Sequence, residues 1–196
     1  MKKMVDKFQA AKSRLRSLLR DKAGVAGIEM ALVTPMLLVL LCGGGEMALL
    51  LRSHFQASQM ASTVADAISR YETITAADIS GIFSVSSEVM GSGDFAQKGY
   101  VILSSVSRTS GATPVVAWQC KGGAVATASR VGAVTKAATL PQNLVLDATD
   151  NVVIAEVFYQ YTPMFSGIVP ASMNQQLYKT AVFRPRLGSL TTSPGC

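Results

Sequence analysis

The sequence predicts an α+β protein: a long N-terminal helix, with a transmembrane half and an amphipathic half, packed on a small, mostly antiparallel β-sheet head. Three observations lead there. An apolar run of membrane-spanning length begins near residue 30, a segment of helical periodicity free of Gly and Pro continues it, and segments rich in β-branched and aromatic residues follow. The 196 residues suffice for one domain with accessory segments, divided here into a leader (1–24), the helix (25–74) and the head (75–196).

Charge defines the leader. The chain carries a net +6, and residues 1–23 hold eight Lys or Arg against Asp6 and Asp21, so the remainder is balanced. A basic arm on a neutral body is a topology signal, and gives no support to nucleic-acid binding. Lys and Arg beside a span stay in the cytoplasm, so the N-terminus is expected inside and the body in the periplasm. An ordinary secretory signal has an apolar region of about 7–15 residues, shorter than this one.

Met30–Leu51, 22 residues, makes a helix of about 33 Å, enough for a hydrocarbon core of about 30 Å. Pro35 removes one backbone donor inside it and predicts a local kink. Gly43, Gly44 and Gly45 offer a weak point or a flat surface for another helix. They are not a phosphate loop, since no Lys-Ser or Lys-Thr follows. Two carboxylates stand out in this setting, Glu29 at the start and Glu46 near the far end. Glu46 is expected to pair either locally with Arg52 or with a partner helix.

From Leu49 to Ile74 the chain lacks Gly and Pro, and the helix is expected to continue to near Tyr71, with Leu50, Phe55, Met60, Val64, Ala67, Ile68 and Tyr71 as its apolar positions. His54, the single histidine, reads as a polar residue at the membrane edge. Thr75 with Asp78 predicts a capping box opening a short helix that carries Ile79, Ile82 and Phe83. Strands are expected in "YVILSSVSR", "PVVAWQC", "NLVLDA", "NVVIAEVFYQY" and "YKTAVFRPR". Alternation in the fourth puts Val153, Ala155, Val157, Tyr159 and Tyr161 on one face, with Val152, Ile154, Glu156, Phe158 and Gln160 on the other. Cys42 lies in the apolar run. Cys120 and Cys196 both fall in the exported body, where an oxidising compartment permits a disulfide that would pin the C-terminal tail.

Chemistry-bearing motifs are missing. There is no CxxC, HExxH, GxSxG or Walker sequence, and one histidine serves no triad. Asp147 and Asp150 in "DATDN" read as a turn and not a calcium loop. No enzyme, metal or cofactor is expected.

The residues "GVAGIEMALVTPMLLVLL", then "GGGEMALLLR", resemble a prepilin processing site and, more widely, the TadE/TadF-type minor pseudopilins of tight-adherence (Flp, type IVb) pilus systems. The resemblance is strongest over 22–71 and weaker over 151–187. It implies cleavage by a prepilin peptidase between Gly24 and Val25, making Glu29 the fifth residue of the mature chain. Gly27 as the cleavage residue would leave Glu29 second and is rejected. Gly45, Glu46 and Arg52 match the family's second Gly-x-Glu pattern and the basic residue that closes its span. Met30 departs from it, because many members carry Phe or Tyr there. The implied partners are the peptidase, a major Flp-type pilin, other minor pseudopilins, the inner-membrane assembly platform and the lipid bilayer. The implied location is the inner membrane, single-pass, with the pilus as a further destination. Glu29 would then pair with the freed α-amine of a neighbouring subunit, whose ordinary pKa is about 7.7–8.0. The competing class is an uncleaved bitopic anchor displaying an adhesive or ligand-binding sheet. Trp118, Tyr159 and Tyr161 are its candidate contacts, with core packing as their other reading.

Overall fold

The computed structural model describes residues 24–90, 95–124 and 126–196, together with Lys12, Arg14 and Ser17. The rest of the basic leader lies outside the described residues. The first helix, α1, spans Val25–Ser69 and includes Pro35. It is followed by α2 (Ala76–Val89), a single turn α3 (Phe95–Lys98), and strands β1 (Gly99–Ser107), β2 (Val115–Gly123), β3 (Asn151–Tyr161) and β4 (Gln175–Phe183). The chain separates into two units at Gly45/Glu46.

The first unit contributes the apolar start of α1. Its large side chains are exposed along the whole length, from Ile28 through Leu32 to Leu41. The helix is long and apolar enough to cross a membrane. The Pro35 ring has no N–H to give, and helix persists on both sides of it.

The second unit is an antiparallel four-stranded sheet in the order β2-β1-β3-β4. One face packs on the rest of α1. Leu50, Ala57, Met60, Ala61, Val64, Ala65 and Ile68 form its buried stripe, recurring every three or four residues as a helix face must. Ala57, Ala61 and Ala65 stack one turn apart in that stripe. Opposite them lie Val153, Ala155, Val157, Tyr159 and Tyr161 of β3, the face that alternation assigns. One position differs from the sequence reading: Phe55 is exposed, because the buried stripe passes through Ala57 instead.

Thr75 caps α2 as its sequence dictates. The Asp78 amide donates to the Thr75 hydroxyl, and the Thr75 amide donates to the Asp78 carboxylate at 2.9 Å. The helix runs to Val89, longer than expected for a short element.

The second face of the sheet is also covered. Val106, Val116, Val131, Leu146, Val152 and Ile154 form one cluster there, and Tyr100, Ile102 and Phe158 another. Much of the cover comes from the long β2–β3 connection, which contains the "NLVLDA" segment. That segment is not a strand. Gln142, Asn143 and Thr149 have φ of 55°, 56° and 67°, a left-handed geometry that ends extended backbone on both sides of it. Leu146 is nevertheless fully buried, so the apolar pattern reported burial correctly and conformation wrongly.

Candidate functional site

Glu46 opens the second unit and is its most unusual residue. It lies on α1, is fully buried, and its carboxylate accepts from three donors at the end of β3 and in the loop after it. The Tyr161 hydroxyl donates to Oε1. The amides of Met164 and Phe165 each donate to Oε2 at 3.0 Å, and the Met164 amide also reaches Oε1 at 3.2 Å. Two successive N–H groups and a phenol replace the water that the charge loses on burial. Burial first, and the neighbouring Glu46 carboxylate second, push the Tyr161 phenol above its ordinary value. Arg52, the local partner expected for Glu46, is not among these donors. The donors to Glu46 come from within the same body, 115 residues or more along the chain.

A second buried carboxylate, Glu156 of β3, sits on the opposite sheet face. It accepts from the Ser129 hydroxyl, from the Arg130 amide at 2.9 Å and from the Tyr178 hydroxyl at 3.0 Å. The Arg130 guanidinium lies 4.1 Å from the Tyr178 ring centroid. This group ties the β2–β3 connection across β3 and β4, and its donors are all internal.

The C-terminal tail is fastened at three points. Cys120 and Cys196 are joined as a disulfide, with Cα atoms 5.5 Å apart. The Trp118 indole donates to the Leu190 carbonyl at 2.7 Å, and the Leu190 amide donates to Asn151 Oδ1 at 3.0 Å. Cys42 is a free thiol. Trp118, Tyr159 and Tyr161 are buried in the core, so none is a surface contact for a ligand.

The remaining candidates lie on the first unit. Gly24 forms a turn just before the helix, and its carbonyl accepts from the Ile28 amide at 3.1 Å. Val25 begins α1 and is 47% exposed, and Glu29 is exposed one turn later. A Cβ added at Gly43, Gly44 or Gly45 would meet no atom within 4 Å. His54 is half-buried on α1; burial, then the charge of Lys179, lower its pKa and keep it neutral at pH 7. Asp147 and Asp150 close a turn, the Asp150 amide donating to the Asp147 carbonyl at 3.2 Å. Among the described residues, no group of three or more His, Cys, Asp and Glu side chains is placed to hold a metal.

An apolar helix begins directly after Gly24, with a carboxylate one turn in and a second Gly-Glu step at Gly45 and Glu46. Residues 24–66 match the family of TadE-like proteins. Over this stretch the chain is TadE-like. Its match starts at Gly24 and ends within the helical stripe that packs on the sheet, so the TadE-like domain accounts for nearly all of α1 and none of the strands. No curated protein and no solved structure matches the chain.

Proposed function

We propose that this chain is a minor pseudopilin of a tight-adherence pilus, released from its leader by cleavage after Gly24. The observation that carries the reading is the TadE-like domain, whose first residue is Gly24 and which contains both Glu29 and Glu46. Before cleavage α1 anchors the protein in the inner membrane, with residues 1–24 in the cytoplasm and the head in the periplasm. Cleavage removes the leader's positive charge and exposes the α-amine of Val25, largely protonated at neutral pH. Glu29 of one subunit then holds the amine of the next. In low dielectric an unpaired carboxylate costs several kcal/mol, so this contact selects one axial register of adjacent helices. The exposed apolar start of α1 supplies the surface that passes from lipid to a helix-lined filament core.

A structural role, not a catalytic one, is supported by the family and by the way both buried carboxylates are saturated by internal donors. The partners follow from the role: a prepilin peptidase, a major Flp-type pilin, other pseudopilins and the assembly platform. Intact mass and N-terminal sequencing of the protein from native cells test it. The mature chain begins at Val25, and deletion of the prepilin peptidase restores the leader. A native chain that keeps residues 1–24 in piliated cells would sink the proposal.

A further inference from the structure

The loop between β3 and β4 combines features unusual for a segment exposed to water. Thr162–Asn174 contains no charged residue, and it carries Met164, Phe165, Ile168, Val169 and Met173. Met164 is 75% exposed and Ile168 50%. The loop is held through its backbone: Met164 and Phe165 give their amides to Glu46, while Ile168 and Val169 turn back onto the Phe165 carbonyl at 2.8 and 3.0 Å. Those bonds engage the backbone amides and leave the Met164 and Ile168 side chains in the open.

The position of the loop along α1 gives the exposure a meaning. Glu46 directly follows Gly45, and Val25–Gly45 is 21 helical residues, about 31 Å at 1.5 Å per residue. That length matches a hydrocarbon core of about 30 Å. Counted from Val25, a core of about 30 Å ends at Glu46, while the apolar run itself ends at Leu51, about 8 Å further along the helix. Glu46 and the loop bonded to it therefore fall within about 8 Å of the outer boundary of the hydrocarbon. Exposed Met47 and Leu51 lie on α1 beside this level. Arg52 is exposed six residues past Glu46, about 9 Å further out, within reach of lipid phosphates.

We infer that Thr162–Asn174 is a membrane-docking loop, which inserts Met164 and Ile168 into the outer interface of the bilayer that α1 spans. Glu46 is its positioning residue. By binding the loop amides it holds the loop close to the depth where the apolar run ends, and the loop in turn shields a carboxylate that would otherwise meet lipid. The occupant is lipid and not protein, because the uncharged stretch adjoins the end of a lipid-length apolar segment and a basic residue stands at headgroup height. Two exposed apolar side chains give a shallow, reversible attachment that a subunit can release on leaving the membrane.

The inference rests on the membrane reading of α1, and the test separates the two. The full chain is placed, one copy per disc, in nanodiscs made with lipids brominated either shallowly or deeply along the acyl chain. Single tryptophan reporters are added by Met164→Trp, Ile168→Trp, Leu37→Trp and Val145→Trp, above the constant background of buried Trp118. Val145 is exposed on the connection that enters β3 at its opposite end, about 33 Å from Tyr161 along an eleven-residue strand. The expected result is loss of most added emission at 164 and 168 with shallow bromines, at 37 with deep bromines, and no loss at 145. Quenching at 37 without quenching at 164 and 168 overturns the docking loop and leaves the membrane span standing. Absence of quenching at 37 overturns both. Shielding of the 164 reporter from aqueous iodide only when several copies share a disc assigns the loop to a second copy and overturns the lipid proposal.

Discussion

Tyr161 donates its phenolic hydrogen to the carboxylate of Glu46, across 115 residues of sequence and inside a fully buried pocket. The bond joins the last residue of the central strand to the helix that the chain builds first. It closes the core at the end of the sheet where α1 enters the body, and leaves a formal charge in an apolar setting.

Removing one partner exposes the cost of that arrangement. Glu46→Ala strands the Tyr161 hydroxyl and two backbone amides without acceptors, and a buried donor left unsatisfied costs about 1–3 kcal/mol. Tyr161→Phe keeps the amide bonds and forfeits one hydrogen bond to a charged group, about 1.5–3 kcal/mol. Chemical denaturation of the full chain in detergent measures both. The double variant is expected to lose less than the sum, because the second change removes a group the first has already orphaned. Strict additivity would show that the two side chains do not act together.

The stripe of alanines on α1 makes a second prediction. Ala61 has no exposed surface and lies in the buried cluster that α1 shares with the strands. Ala61→Leu overfills that space and destabilises the body by about 1–3 kcal/mol. Thr63→Leu, on the exposed side of the same turn, is expected to change stability by less than about 0.5 kcal/mol. Thermal unfolding of the two variants side by side checks the assignment of faces.

These examples show where the sequence was informative. Long periodic elements were legible: α1, the capping box at Thr75 and Asp78, and the two faces of β3 follow directly from spacing. The failures share a cause. "NLVLDA" has the composition of a strand, but its backbone is controlled by left-handed residues at Gln142, Asn143 and Thr149, none of them glycine. Phe55 shares the helical spacing of the apolar positions, yet Ala57 takes the buried place and Phe55 is exposed. Glu46 was sought near Arg52 because local pairs are visible in a sequence. Its true donors include two backbone amides, which every residue but proline carries and no pattern distinguishes.

The acid limit of stability has a definite sign. Arg70's hydrogen bond to Asp66, reinforced by the charges of Arg70 and Arg186, holds that carboxyl below its ordinary 3.8. The Thr75 hydroxyl and amide do the same for Asp78. A carboxyl with a depressed folded pKa stabilises the fold fully above its unfolded value and loses that contribution as pH falls through the folded one. His54, whose folded pKa is depressed, adds a decline that begins as pH falls below its unfolded 6.5. The two carboxyls add no slope near neutrality and lower stability below about pH 4. Asp66→Asn flattens part of that decline and lowers stability at pH 7. Melting temperatures between pH 2 and 7 measure it, and an unchanged acid slope in the variant would remove Asp66 from the account.

The disulfide predicts a compartment effect. Cys120 and Cys196 enclose 76 residues of sequence separation, so their link restricts the unfolded chain strongly. Reduction, or Cys120→Ser with Cys196→Ser, is expected to cost about 2–4 kcal/mol. The tail keeps two other fastenings, Trp118 to the Leu190 carbonyl and the Leu190 amide to Asn151, so residues after 190 loosen first. Limited proteolysis under reducing conditions should cut there before the sheet unfolds. Simultaneous loss of the tail and the core would show that the bridge holds the whole sheet.

Glu29 separates assembly from folding. It is exposed on the first unit, outside the core that Glu46 anchors, so its removal leaves the body's stability unchanged. If it pairs with the Val25 amine of an adjacent subunit, Glu29→Ala removes the acceptor and leaves a buried cation in the assembled state. The expected phenotype is normal protein level, normal cleavage after Gly24, and loss of incorporation into pili. Glu29→Asp retains charge with a side chain shorter by one methylene, and is expected to assemble partially. Glu29→Gln keeps the shape and drops the charge. If charge pairing is what selects the register, it should fail nearly as completely as alanine; wild-type pilus yield with Gln would show that the carboxylate acts through packing alone.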